Sequence, residues 1–334
     1  MSKELIVSSS PHLQAHDTTR RIMLDVVIAL IPAFIAGTII FGWIVPIITA
    51  ATIAACVLSE YISRKILKRD NTIGDLSAVV TGMLLSFNLP ATLDSVWMGV
   101  LGGAIAIVIV KQLFGGIGQN FVNPALIARI ILMVSFPTKM TTWPAPLAWI
   151  KDGGIDATTT ATPLAIMSEG SGDGLPSIGN MLLGLRGGCL GETCAIALII
   201  GGIYLIARKV ISPIIPVCFI GTAAIFMMIL DFAGIDGSSI SFLPAQLLSG
   251  GLLLGAIFMA TDYTTSPINF TGKIIFAIGC GLITVIIRFF ASLPEGVSYS
   301  IIIMNLLVPH IERLTRPRPF GDFKEKKVKG GAKA

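Results

Sequence analysis

Charge is scarce in this sequence. Asp, Glu, Lys and Arg together make up 13% of its 334 residues, and histidine occurs three times. A soluble globular chain carries about 25% charged residues. With 54% hydrophobic residues and a mean hydropathy of +0.84, the sequence therefore excludes a soluble enzyme with a membrane anchor added. Cysteine is sparse as well. The five (Cys56, Cys189, Cys194, Cys218, Cys280) lie mostly in apolar runs and form no C-x-x-C pair, so neither an iron–sulfur cluster nor a disulfide framework is encoded. Any redox chemistry must come from another cofactor. His12 and His16 lack a third ligand and make a poor metal site. A cleavable signal peptide is not visible in the polar stretch Met1 to Arg21, so the first apolar run is expected to be a retained span.

What is present is apolar sequence in long runs. At about 20 residues per span there is material for roughly ten crossings. The first five run approximately from Ile22 to Ile40, Ile44 to Ile62, Leu76 to Leu89, Val96 to Phe114 and Val122 to Phe136. Five more run from about Leu190 to Ala207, Ile211 to Leu230, Pro244 to Ala260, Ile274 to Phe290 and Val297 to Val308. The expected fold is thus an all-α integral membrane protein. Residues 1–136 form a first five-span repeat, 137–187 a polar loop, 188–312 a second repeat and 313–334 a basic tail.

Orientation follows from the cations. If the amino terminus is cytoplasmic, that side collects Lys3, Arg20, Arg21, Arg64, Lys65, Lys68, Arg69, Lys111, Arg208, Lys209, Lys273 and the eight basic residues of the tail. Only Lys139, Lys151, Arg186 and Arg288 fall outside, with Arg129 inside a span. This asymmetry places both termini in the cytoplasm and the 137–187 loop on the outer face. The same clustering reads the net charge of +5 as a topology signal, with no nucleic-acid partner.

The two halves also match each other. Slid by a constant offset, Pro90 falls on Pro267, Leu101 on Ile278, Gly102 on Gly279, Ile107 on Thr284 and Lys111 on Arg288. Copies separated by an odd number of spans cross the bilayer in opposite senses, which is the inverted-repeat arrangement of many transporters. Ahead of each matched proline lies an interrupted third span, Gly82 to Pro90 and Gly255 to Pro267. Paired broken helices point to a ligand site near the midplane. Small and hydroxyl residues there serve helix packing equally well. Asp262, in the second break, is an ion-pathway candidate because a carboxylate in a bilayer interior costs at least about 2.5 kcal/mol unless paired or hydrated. Glu192 is a second such candidate, and a dipole-favoured helix start is its plainer reading. Arg129 should pair with a carboxylate, carbonyl or cofactor oxygen.

The outer loop holds Asp156-Ala157-Thr158-Thr159-Thr160-Ala161-Thr162. By composition this is an ordinary flexible loop. The spacing Asp156-x-x-Thr159-x-Ala161-Thr162 resembles the D-x-x-[ST]-G-A-T target at which a flavin transferase joins FMN through its phosphate to the final threonine. Thr160 stands where that pattern has glycine, and Thr159, Thr160 and Thr162 all offer hydroxyls. Three further stretches, Gly115 to Ala125, Gly187 to Thr193 and Phe258 to Asp262, resemble segments of the membrane proteins RnfD and NqrB. With four motifs in order, the sequence is similar to that family along most of its length. Fewer residues precede the first span than is typical of NqrB, which favours the RnfD side.

The resemblance implies a membrane electron-transfer subunit of an ion-translocating ferredoxin:NAD oxidoreductase in the cytoplasmic membrane. It implies covalent FMN on Thr162 and a second, non-covalent flavin such as riboflavin, for which Asn120 and Asn123 are the nearest candidates. Implied partners are other membrane subunits, the flavoprotein RnfG, the soluble NAD- and ferredoxin-reactive subunits and the maturing transferase. The alternatives are NqrB of the sodium-pumping NADH:quinone oxidoreductase and a small-solute channel or transporter. The Gly115–Gly118 run is dense enough for a phosphate loop, but it joins two spans, and a close-packed turn explains it.

Overall fold

The computed structural model describes residues 18–151, 159–168, 174–234, 242–291 and 295–317, and these are helices joined by turns. Asp156, His12, His16 and most of the basic tail lie outside the described residues. The first half contributes α1 (Thr19–Phe41), α2 (Ile44–Ile66), α3 (Ser77–Phe87), α4 (Asp94–Ile105, continuing as a π-helical turn Ala106–Gln112) and α5 (Pro124–Ser135). Short helices α6 (Pro137–Met140), α7 (Ala148–Lys151), α8 (Pro163–Ser168) and α9 (Ile178–Leu183) form the connecting loop. The second half contributes α10 (Ala195–Ala207), α11 (Ile214–Phe232), α12 (Leu243–Leu248), α13 (Leu252–Leu254, continuing as a π-helical turn Gly255–Met259), α14 (Phe270–Phe290) and α15 (Val297–Thr315).

Each expected apolar run is helical, with boundaries that shift for local reasons. Five helices are long and apolar enough to cross a membrane: α1, α2, α4 with its π turn, α11 and α14. The segments α3, α5 and α10 are shorter. The tenth run, short by hydropathy, is a helix of 19 residues extending to Thr315, past the expected boundary at 312. Its last turns carry His310, Glu312 and Arg313, so a hydropathy reading stops early.

The third segment of each half is broken, as expected. α3 has 11 residues and stops at Asn88, two residues before Pro90. α13 and its π turn stop at Ala260, ahead of Pro267. The broken ends meet: the Asn88 amide lies 3.9 Å from Met259 Sδ, and Asn123 Nδ2 donates to the Met259 carbonyl at 3.3 Å. Asn123 also starts α5, its Oδ1 accepting from Ala125 N–H and Leu126 N–H with proline following at the first helical position. Two helices therefore end, and a third begins, inside the protein.

Helix pairing is alike in the two halves. α2 packs on α4 and α11 packs on α14, while α1 packs against α10 across the halves. α1 and α10 run antiparallel, because Asp25 near the start of α1 takes bonds from Tyr204 (2.9 Å) and Arg208 (3.2 Å) at the end of α10. Close approach requires glycine there: a β-carbon on Gly201 would run into the Ala29 carbonyl. Outward positions are apolar, among them Ile31, Ile35, Ile39, Ile203, Val217, Ile229 and Ile286. A protein whose exterior and core are both apolar suits a lipid solvent.

The sequence-matched pair Lys111 and Arg288 sit at corresponding places. Lys111 reaches Glu60 at 3.0 Å and Ser77 at 2.6 Å, at the head of broken helix α3. Arg288 donates to the carbonyls of Gln246 (2.7 Å) and Ser249 (3.0 Å), at the head of broken helix α13. In each half a cation near the end of the fourth helix secures the start of the third. Glu60 is fully buried and also accepts from Gln112 (2.8 Å) and Thr72 (3.0 Å). Lys111→Met should therefore cost about 3–5 kcal/mol by stranding the Glu60 carboxylate. The double variant with Glu60→Leu should recover much of that loss, as read from unfolding of the purified chain in detergent.

Candidate functional site

Two cavities lie at opposite ends of the broken-helix pair. The first is about 110 Å³ and sits beside the start of α1 and the end of α4, the end that carries Arg64, Lys65 and Arg208. Ser77, Thr81 and Lys111 line it from the head of α3 and the end of α4. Phe258, Thr261 and Asp262 line it from the foot of the other broken helix, and Asn120 and Asn123 from the turn before α5. The sequence candidates Asn120, Asn123 and Asp262 thus meet in one cavity. Asn120 donates to the Val122 carbonyl at 3.4 Å. Asp262 is half-buried, with Oδ2 accepting from the hydroxyls of Thr264 (3.2 Å) and Thr265 (3.3 Å). The Gly115–Gly118 run is a turn, as expected, with Gly115, Gly116 and Gly118 all at positive φ. A β-carbon on Gly116 would collide with Arg64.

The second cavity, about 10 Å³, is lined by Thr162, Pro163, Leu164, Arg186, Gly187, Glu192, Ser249, Gly250 and Glu295. It sits at the end holding the last turn of α1, where Leu147 N–H reaches the Ile40 carbonyl and Trp149 reaches that of Ile39. Thr162 caps α8, its Oγ1 accepting from Ala165 N–H at 3.2 Å with Pro163 following. Of the three threonines left open by the sequence, Thr159 is exposed and bridges Pro144, with Ala161 exposed beside it. Thr160 Oγ1 is enclosed without a partner among the described residues, close against Gly187. Thr162 alone of the three lines the cavity.

Behind this cavity lies a knot of charge. Arg129 is 3% exposed and donates to Asn88 Oδ1 (2.9 Å), Ser298 Oγ (2.9 Å), Cys189 Sγ (3.4 Å) and the Glu295 carboxylate. It thus finds the carboxylate partner that its place in a span demanded. Arg186, also 3% exposed, donates to Ser249 Oγ (2.8 Å) and the Glu192 carbonyl (2.9 Å). Burial lowers its pKa, with nearby Glu192 opposing the shift. Glu192 lies in the turn before Cys194, which caps α10, so it is not the helix-start residue that the dipole reading required. It is buried, and its Oε2 has no hydrogen-bond partner among the described residues.

Arg186, Arg288, Glu295 and Ser249 were missed as site residues by the sequence reading. The signal was available, because Arg129, Arg186 and Arg288 are three of the five cations that break the charge asymmetry. Cys189, Glu192 and Glu295 bring their ligand atoms within 4.8 Å of one another, a spacing that could hold a cation. The surrounding guanidiniums already occupy that role.

The fold and these sites define a multi-helix membrane protein built around a pair of broken helices, with a cavity at each end of the pair. The chain belongs to the NQR2, RnfD, RnfE family, whose model matches residues 6–321. It is 47% identical to the D component of the Na⁺-translocating ferredoxin:NAD⁺ oxidoreductase complex of Acetobacterium woodii, over 97% of each chain. It is 42% identical to the D component of the proton-translocating ferredoxin:NAD⁺ oxidoreductase complex of Clostridium ljungdahlii, over 94% of this chain and 96% of the other. To the D component of the ion-translocating oxidoreductase complex of Stutzerimonas stutzeri it is 37% identical, over 90% and 92%.

Gly250, which lines the second cavity, and the adjacent Gly251 have φ of +67° and +68°. A β-carbon on Gly250 would be strained and would strike Leu164 and Arg288. Gly250→Ala should destabilise the chain by more than about 1 kcal/mol. Gly221→Ala, in α11 with open space around it, should be neutral or slightly stabilising in the same thermal unfolding measurement.

Proposed function

We propose that this chain is a membrane electron-transfer subunit of an ion-translocating ferredoxin:NAD⁺ oxidoreductase, carrying FMN as a phosphoester on Thr162. The observation that carries the reading is the position of Thr162: the hydroxyl chosen by the motif is the one of its group that opens onto a cavity lined by a buried arginine. The free space beside Thr162 is about 10 Å³, room for a single water, and Glu192 and Glu295 line it with Arg186, so the phosphate and the ring of FMN on Thr162 would both lie outside it. Bound there, the flavin supplies one- or two-electron transfer. The chain's own part is to tether it and to keep the ring at the end of the bundle.

The larger cavity is our site for a second, non-covalent flavin, with Asn120, Asn123 and Lys111 as its polar contacts. Its free volume of about 110 Å³ lies below the roughly 300–1,000 Å³ of whole-ligand pockets, so side chains of the lining must move for a flavin to enter. Two cofactors at opposite ends of one broken-helix pair would give electrons a route across the membrane interior. Asp262 remains our candidate for an ion-pathway group, since it faces that cavity. Glu192 belongs with the arginines. The cations gathered at the end opposite Thr162 support a cytoplasmic location for that end and for both termini. The flavin-bearing loop then faces out of the cytoplasm in a multi-pass cytoplasmic membrane protein. Ferredoxin and NAD would react at soluble partner subunits, and other membrane subunits and a flavoprotein partner would complete the assembly. The chain alone should catalyse nothing.

Co-expressed with a flavin transferase, the wild-type band should fluoresce as a flavoprotein on a denaturing gel, with an FMN-sized mass on the Thr162 peptide. Thr162→Val should abolish both and leave the fold. A dark wild-type band despite a competent transferase overturns the reading and favours a solute transporter. Thr81→Trp, which fills the larger cavity, should lose flavin released by denaturation while keeping the covalent fluorescence. Unchanged release would place the second flavin elsewhere.

A further inference from the structure

Apart from the two cavities of the broken-helix pair, a third opens at the surface, between the turn joining α10 to α11 and the start of α14. Its volume of about 450 Å³ falls within the roughly 300–1,000 Å³ of whole-ligand pockets. Lys209, Ser212, Ser266 and Lys273 supply polar lining, and Ile206 and Ile215 apolar lining. Neither lysine forms a salt bridge among the described residues. Carboxylates on neighbouring segments are engaged elsewhere. Asp25 accepts from Tyr204 and Arg208, Asp262 from Thr264 and Thr265, and Glu312 from the Ile268 N–H at 3.0 Å. Two ammonium groups thus share one cavity, with no described carboxylate paired to either.

The cavity also adjoins the lipid-facing surface. Ile206 is exposed on α10, and Ile203, Ile199 and Ile196, at spacings of three and four residues, continue an exposed apolar stripe along that helix. We propose that this cavity binds an anionic phospholipid, its headgroup phosphate held by Lys209 and Lys273 and an acyl chain lying along the isoleucine stripe of α10. Basic pockets between helix ends suit such headgroups. An acidic protein surface would meet the charge but would leave the stripe without its chain. The site is independent of Thr162 and of any flavin.

Lys209 offers a variant that spares the fold. It closes α10 with φ of +58°, where glycine is usual: its N–H donates to the Ile206 carbonyl and the Val210 N–H to that of Leu205, both at 2.9 Å. Lys68 ends α2 in the same left-handed conformation, with φ of +52°, and does not line this cavity. The full-length chain, purified in a neutral detergent, is titrated with phosphatidylglycerol and, separately, with phosphatidylcholine. Phosphatidylglycerol should raise the unfolding temperature saturably, by about 3 °C at roughly ten times the Kd, and phosphatidylcholine should not. Lys209→Gly should unfold no earlier than wild type without lipid, since glycine adopts this conformation freely, yet lose the response. Lys273→Gln should lose it too, and Lys68→Gly should keep it. No response specific to phosphatidylglycerol, or an equal response in all variants, overturns the proposal. So does a loss in Lys68→Gly equal to that in Lys209→Gly, which would make the effect one of general surface charge. An equal rise with inorganic phosphate in place of lipid would overturn the lipid as occupant.

Discussion

The structure depends on one buried guanidinium. Arg129 stands in α5 and binds groups from the end of α3 (Asn88), the loop before α10 (Cys189) and the start of α15 (Glu295 and Ser298). In a lipid solvent there is no hydrophobic force to press helices together, so packing and polar bonds across helices decide the arrangement. A charge that cannot be hydrated makes those bonds obligatory. Around this hub the helices break. Asn88 ends one helix and Asn123 begins another, and both touch Met259 at the foot of the broken helix in the second half. The interior thus holds backbone termini where an ordinary span would offer none: Gly191 and Leu190 N–H donate to the Phe87 and Leu89 carbonyls at the end of α3, the Cys189 thiol to that of Asn88 and Asn123 Nδ2 to that of Met259.

That design explains why two cavities exist. A full-length helix would fill the space above or below the middle of the bundle, whereas a helix that stops halfway leaves room. Each broken helix leaves its void at the opposite end, and the head of each is secured by a cation from the fourth helix of its own half, Lys111 in one and Arg288 in the other. The voids differ because their linings differ. Around Lys111 the walls are largely apolar with amides and hydroxyls. Around Arg288 they narrow to a small polar space closed by the loop that carries Thr162.

Much of this was legible in the sequence. Apolar runs located the helices, the offset match located the broken pair, and the matched residues Lys111 and Arg288 take corresponding positions. The motif picked a threonine that lines a cavity. What could not be read was partnership. Glu192 resembled a helix-start residue because one sequence cannot show that α10 begins at Ala195, and Asn123, which lines the larger cavity, also caps a helix and holds a carbonyl, contacts that no spacing shows. The arginine cluster joins residues separated by up to 169 positions in the chain, and no local spacing encodes such contacts. Its trace was the set of cations on the face where cations are rare. Exceptions to a physical rule marked the site better than agreement with it did.

The separation of Arg129 from Glu295 also bears on the order of synthesis. A ribosome delivers Arg129 to the membrane long before Glu295 exists, so a nascent first half holds an unneutralised guanidinium within a nearly complete span. Neutralisation of this charge must therefore wait for the last helix, giving the chain a folding step dominated by distant contacts. A product truncated before α15 would carry this charge permanently.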